Sequence, residues 1–174
     1  MIQTRWHVIT GAPCSGKTAV VRDLEMRGFR VVHETAREFL KRKRKDRGCA
    51  SESPDFRKKS QTAILNLKLG IESALPVNQT VFLDRGVPDS IAYYLIHGLD
   101  PDEIMERGRR HRYRRVFFCE RLPLQADSIR SEDEATVARL HEFLLQAYRD
   151  FGYTVIPVPV LSIGERADFI LKHL

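Results

Sequence analysis

Gly11-Ala12-Pro13-Cys14-Ser15-Gly16-Lys17-Thr18 fits G-x-x-x-x-G-K-[ST] at every fixed position. The glycines let the backbone turn tightly enough for its N–H groups to surround phosphate oxygens, and a helix starting at the end of the loop adds positive potential. Lys17 is expected to reach the outer phosphates, and Thr18 to offer its hydroxyl to Mg²⁺. At ordinary residue frequencies roughly one chain in a couple of hundred of this length would match by chance. The flanks tighten the reading. Trp6-His7-Val8-Ile9-Thr10 is an apolar run that reads as a buried strand entering the loop. From Gly16 to about Arg27 the chain reads as an amphipathic helix, with Val20, Leu24 and the positions around Met26 inward and a stop at Gly28. Strand, loop and helix in that order make 11–18 a site for a nucleoside triphosphate, ATP or GTP. Cys14 within it reads as a small loop filler rather than a redox switch.

Outward from the loop, apolar runs of strand length keep alternating with helical patterns. Phe29–His33 is predicted as a second strand, followed by a helix from Glu34 to about Lys45. Ser53-Pro54 supplies an N-cap and a first-turn proline, and the helix it opens is expected to bury Phe56, Ala63, Leu67, Ile71 and Ala74. Thr80–Asp84 is the third predicted strand, with helices near 88–97 and 101–110 after it. Arg115–Cys119 is the fourth. Ser131-Glu132-Asp133-Glu134 reads as a capping box opening a long helix with Val137, Leu140, Leu144 and Tyr148 inward. Tyr153–Val158 is the fifth strand, and Ser162-Ile163-Gly164-Glu165 caps the last helix. The fold class expected is α/β: a three-layer arrangement with a five-stranded parallel sheet flanked by helices, as one domain over residues 1–174.

The 174 residues suit a single globule able to bury about 70% of its unfolded surface without a disulfide or metal staple. With 43% hydrophobic and 30% charged residues the chain is too apolar to be disordered, and no apolar stretch approaches a membrane span. Three cysteines without a CxxC pair argue against a disulfide framework or a structural zinc site. The first residues contain no signal-like apolar core, so a cytoplasmic location is expected. The six histidines show neither HxxH nor HExxH spacing and are assigned no metal. The net charge of +6 is concentrated: residues 41–47 carry +5 and 107–115 carry +6, leaving the remainder at −5. Such runs suit a solvated face, or a phosphorylated or otherwise acidic ligand if they border the acceptor cleft. Nucleic acid is the third option and has no fold signature to accompany it.

A carboxylate at the end of another strand should accompany the loop near Mg²⁺, and Asp84 of Val-Phe-Leu-Asp is the candidate; the other reading is a plain N-cap. The next residue bears on the chemistry. Arg85 stands where many motor-type ATPases carry a water-polarising Glu, and no Asn-Lys-x-Asp element selects guanine. Asp-Arg at a strand end is instead like nucleoside and nucleotide kinases, where the arginine faces the acceptor.

Five blocks together carry a more specific resemblance: residues 11–18, His-Glu-Thr-Ala-Arg-Glu at 33–38, Phe-Leu-Asp-Arg-Gly at 82–86 with Asp89, Asp127-Ser-Ile-Arg130, and Tyr148 with Gly152–Pro159. In this order the chain resembles the NadR-like P-loop family of AAA-type ATPase domains and small-molecule kinases related to nicotinamide riboside kinase. The resemblance implies a nucleotide-kinase-like fold with a helical lid at 120–136. It also implies Mg²⁺-dependent transfer of a phosphoryl group to a small hydroxyl-bearing acceptor such as a nucleoside or nucleotide. Glu34 would accept the proton of the attacking hydroxyl, or is simply a helix N-terminal carboxylate. Arg37 would hold an anionic acceptor or form a surface salt bridge, and Arg85 would orient the acceptor or form a structural ion pair. Arg121 and Arg130 would close over the triphosphate and neutralise charge in the transition state, or are solvated loop arginines. The rival reading is a regulatory nucleotide switch with slow hydrolysis and no acceptor.

Overall fold

The computed structural model describes residues 1–34, 54–122 and 134–174. In chain order these form β1 (Ile2–Gln3), β2 (Trp6–Thr10), α1 (Lys17–Met26), β3 (Arg30–Val32), α2 (Pro54–Ala74), β4 (Val81–Asp84), α3 (Asp89–Ile96), α4 (Asp102–Arg107), β5 (His111–Arg112), β6 (Arg115–Cys119), α5 (Glu134–Asp150), β7 (Val155–Val158) and α6 (Ile163–Lys172). Five strands make one parallel sheet in the order β3-β4-β2-β6-β7. The fold has the expected class. The central strand is β2, whose end feeds the 11–18 loop, with β4 on one side and β6 on the other. The loop therefore leaves at the point where the strand order reverses, where open α/β sheets form their ligand crevice.

Alternation along the strands builds two cores. Trp6 and Val8 of β2, Val81 and Leu83 of β4 and Val116 of β6 pack with Leu65, Ile91, Ile104, Ala147 and Tyr148 of α2, α3, α4 and α5. Their neighbours Ile9, Phe82 and Phe117 face the other way onto Val20, Val21 and Leu24 of α1 and Ala167 and Ile170 of α6. This period of two places Asp84, two residues beyond Phe82, on the α1 side of the sheet, next to the start of that helix.

Two predicted faces need correction. Met26 is 79% exposed, because α1 ends there and the chain turns at Gly28; Val20, Val21 and Leu24 carry the burial. In α2, Leu67 and Ala74 are exposed and the buried positions are Ser60, Gln61, Ile64, Leu65, Lys68 and Glu72. That face was hidden from a hydrophobicity count because four of its six members are polar. A further parallel pair, β1 with β5, was also unexpected; two-residue strands carry no periodicity. The helix predicted for 34–45 beyond Glu34, Ser53, the basic segment 41–47 and the box residues 131–133 lie outside the described residues. Pro54 and Glu134 are the first residues of α2 and α5. The capping box at Ser162 is present in both directions, side chain to Glu165 N–H and Glu165 carboxylate back to Ser162 N–H.

The second basic segment lies away from the loop. Arg115 is level with His7 at the start of the sheet, and Arg114 precedes it. Arg109 and Arg112 donate to the carbonyls of Asp150, Phe151 and Gly152 at the end of α5. Residues 109–115 thus line the edge where the strands begin, opposite the phosphate loop, and do not border an acceptor cleft there.

Candidate functional site

The loop closes around Lys17. Gly11 sits at φ 140°, and a Cβ there would fall 2.6 Å from the Cys119 carbonyl oxygen, so the loop is pressed against the end of β6. Cys14 also adopts positive φ and is exposed, while Ala12 and Ser15 are buried and Pro13 is half-buried. Lys17 is 6% exposed; its Nζ donates to the Ala12 carbonyl at 2.7 Å and to Ser15 Oγ at 3.1 Å. Burial, helped by the nearby Arg85 charge, pulls its ammonium down to about 7.

Beside it, Thr18 Oγ1 donates to Asp84 Oδ2 at 3.1 Å. The other oxygen, Asp84 Oδ1, is buried and has no hydrogen-bond partner. Burial raises the Asp84 carboxyl above its usual range, against the pull of Arg85. An orphaned carboxylate oxygen next to a hydroxyl is a hard-oxygen pair that fits Mg²⁺, which takes few protein ligands and completes its shell with phosphate and water.

The next residue turns the chain sharply: Arg85 has φ 76°, uncommon outside glycine. That turn sends its side chain back under the loop. Its Nε donates to Glu34 Oε1 at 2.9 Å, and Nη1 to Asp89 Oδ1 at 2.9 Å and the Gly11 carbonyl at 3.3 Å, with the Tyr93 ring 5.5 Å away. Asp89 is fully buried and also accepts from Thr10 Oγ1, the Gly86 N–H and the Tyr148 hydroxyl. Burial alone would raise its carboxyl, but Arg85, Lys68 and these donors hold it below the usual range. Lys68 of α2, itself buried, donates to the Gly86 carbonyl at 2.9 Å. Glu34 keeps 13% of its side chain exposed while Arg85 keeps 3%, so the carboxylate is the reachable half of the pair.

The structure therefore brings together Gly11 to Thr18, Glu34, Asp84 and Arg85. Arg121 forms an ion pair with Glu134 at 3.1 Å. Arg37 and Arg130 lie outside the described residues, as does 123–133 of the segment expected as a lid. Two participants were missed as such: Lys68 and Asp89. Asp89 had a signal, since it stands four residues after Arg85. Lys68 had none, because a buried cation on an amphipathic helix looks like a solvated one in a sequence.

A parallel sheet with the G-x-x-x-x-G-K-T loop at its switch point, a Thr–Asp pair and an Asp-Arg strand end define a P-loop nucleotide-binding protein with the fold of the nucleoside and nucleotide kinases. A family model described as an AAA domain (AAA_28) matches residues 6–166, and the chain belongs to that family. No curated protein matches the chain. Among solved structures, deoxyadenosine kinase from M. mycoides with the products dCMP and dCDP superposes with a TM-score of 0.69 at 12% identity, covering 97% of each chain. NadR in complex with NAD and AMP-PNP gives 0.73 at 16% identity, covering 97% of this chain and 49% of NadR, so the chain spans about half of that protein. Thymidylate kinase from Ehrlichia chaffeensis gives 0.67 at 13% identity, covering 97% and 96%. At these identities the likeness is one of fold. Among the described residues no helix is long and apolar enough to cross a membrane.

Proposed function

We propose that this protein is an ATP- and Mg²⁺-dependent phosphotransferase acting on a small hydroxyl-bearing acceptor such as a nucleoside or nucleotide. The observation that carries the reading is the Glu34–Arg85 pair: a partly exposed carboxylate, held at 2.9 Å by an arginine that also reaches the phosphate loop at Gly11. In a kinase such a carboxylate takes the proton of the acceptor hydroxyl, whereas in a switch it would activate water, so dependence on an acceptor is what separates the two readings. The kinases of the same fold bind AMP-PNP or deoxynucleotides, which supports the assignment of ligand class.

In this reading the loop N–H groups and Lys17 hold the outer phosphates. Lys17 moves its ammonium from Ala12 and Ser15 to the phosphate oxygens as charge builds there. Thr18 and Asp84 would hold Mg²⁺, which when bound supplies charge neutralisation across the transferred phosphoryl group. Glu34 accepts the proton of the acceptor hydroxyl; Arg85, fixed by Asp89, holds that carboxylate in place. Arg121, with Arg37 and Arg130, would complete the anion contacts, within a single domain carrying a lid at 120–136. The test is to incubate the protein with ATP and Mg²⁺, alone and then with a panel of nucleosides and nucleotides. ADP release that requires one acceptor, and falls about 100-fold or more in Lys17→Ala, is the expected result. Hydrolysis indifferent to every acceptor would overturn it in favour of a switch.

A further inference from the structure

Arg166, in the first turns of α6, is 2% exposed. Its guanidinium donates to three backbone carbonyls: Nη1 to Ser15 at 2.7 Å, Nε to Pro159 at 3.0 Å and Nη2 to Glu120 at 3.1 Å. It thereby ties the phosphate loop to the ends of β6 and β7. Among the described residues no carboxylate pairs with it. It also lies at the start of α6, where the helix dipole disfavours a cation. A buried charge without a counter-ion is costly unless something compensates it. A Cβ on Gly16 would come within 2.9 Å of Nη1, so the close approach of guanidinium and loop needs glycine at 16.

We propose that Arg166 is a positioning residue of the phosphate site: by holding the Ser15 carbonyl it aims the Gly16 N–H at the bound polyphosphate, whose charge compensates the guanidinium. The planar trans peptide enforces the geometry, because its C=O and N–H point in opposite directions. With the Ser15 carbonyl drawn towards α6, the Gly16 N–H faces away from it. The proposal rests on reading 11–18 as a triphosphate site, and the experiment separates the two.

Tripolyphosphate, which engages the loop without a base or an acceptor, is titrated into the full chain, wild type, Arg166→Lys and Lys17→Met. The Gly16 amide and the Arg166 Nε–H are followed by ¹⁵N NMR. Both wild-type resonances shift on binding. Arg166→Lys keeps the charge but replaces three donor nitrogens in a planar fork by a single ammonium; it binds tripolyphosphate and ATP about tenfold more weakly, by the same factor, with a smaller Gly16 shift. Wild-type affinity with an unchanged Gly16 shift in Arg166→Lys overturns the proposal, as does a wild-type Gly16 amide that does not move while tripolyphosphate binds. The second arm needs no variant to fold. Failure of the wild type to bind tripolyphosphate at all, or equal binding by Lys17→Met, instead overturns the phosphate-site reading beneath it.

Discussion

Lys17 is the residue at which burial and charge meet. Without ligand its ammonium titrates near 7, because burial and Arg85 disfavour the charged form. A bound polyphosphate favours that form and raises the pKa again, so binding above pH 7 must take up a proton. Nucleotide affinity should therefore fall as pH rises from 7 towards 9. At pH 8.5, titration calorimetry in buffers of different ionisation heat should show close to one proton taken up per nucleotide, and none for Lys17→Met. Equal uptake by both would remove Lys17 from the account. Lys17 itself was legible from its place in the loop, as were Thr18 and Asp84. Of the partners of Arg85, only Asp89 carried a signal, four residues on. Which of its two readings holds locally depends on Asp89 and Tyr148, brought in from α3 and α5, and no spacing rule links residues 59 apart. Arg85 forms the buried ion pairs with Glu34 and Asp89.

At the scale of elements, α2 shows how packing decides what periodicity leaves open. Leu65 is fully buried against the sheet, whereas Leu67, two residues on, is 39% exposed. Leu65→Ala should cost about 2–5 kcal/mol through lost transfer energy and a residual cavity, and Leu67→Ala under about 1 kcal/mol. Urea unfolding of the two variants measures the difference; equal costs would mean the face is misplaced. The strands and α5 were readable because their buried positions are apolar: Val137, Leu140, Leu144 and Tyr148 are all inward, as their spacing predicts. The face of α2 was not, because it buries Lys68 and Glu72. These two are used by neighbours, Lys68 by the Gly86 carbonyl and Glu72 by the Tyr113 hydroxyl. Tyr113 in turn accepts from the Val87 N–H, so α2 braces the turn that follows Asp84 from two sides.

For the molecule as a whole, acid stability should depend on His7. It lies in β2, only 4% exposed, between the rings of Phe82 and Phe117, and its Nδ1 has no hydrogen-bond partner. Burial, then Arg115, Arg114 and Arg5, lowers its pKa to about 4. The unfolded chain therefore binds the proton first, and stability falls as pH drops from 6.5 to 4, by at most about 3 kcal/mol from this group. His7→Phe should flatten that limb; urea midpoints at pH 6.5, 5 and 4 compare the two, and parallel curves would count against the assignment. The same arginines set a length scale. With about 3.3 Å of rise per residue, the five residues of β2 separate their edge from the phosphate loop by roughly 15 Å. Screening in physiological salt acts over about 8 Å. A nucleotide seated at Lys17 is thus nearly two screening lengths from Arg114 and Arg115, and its retention owes almost nothing to them. The chain's most basic described stretch and its phosphate loop are thus electrically separate in physiological salt.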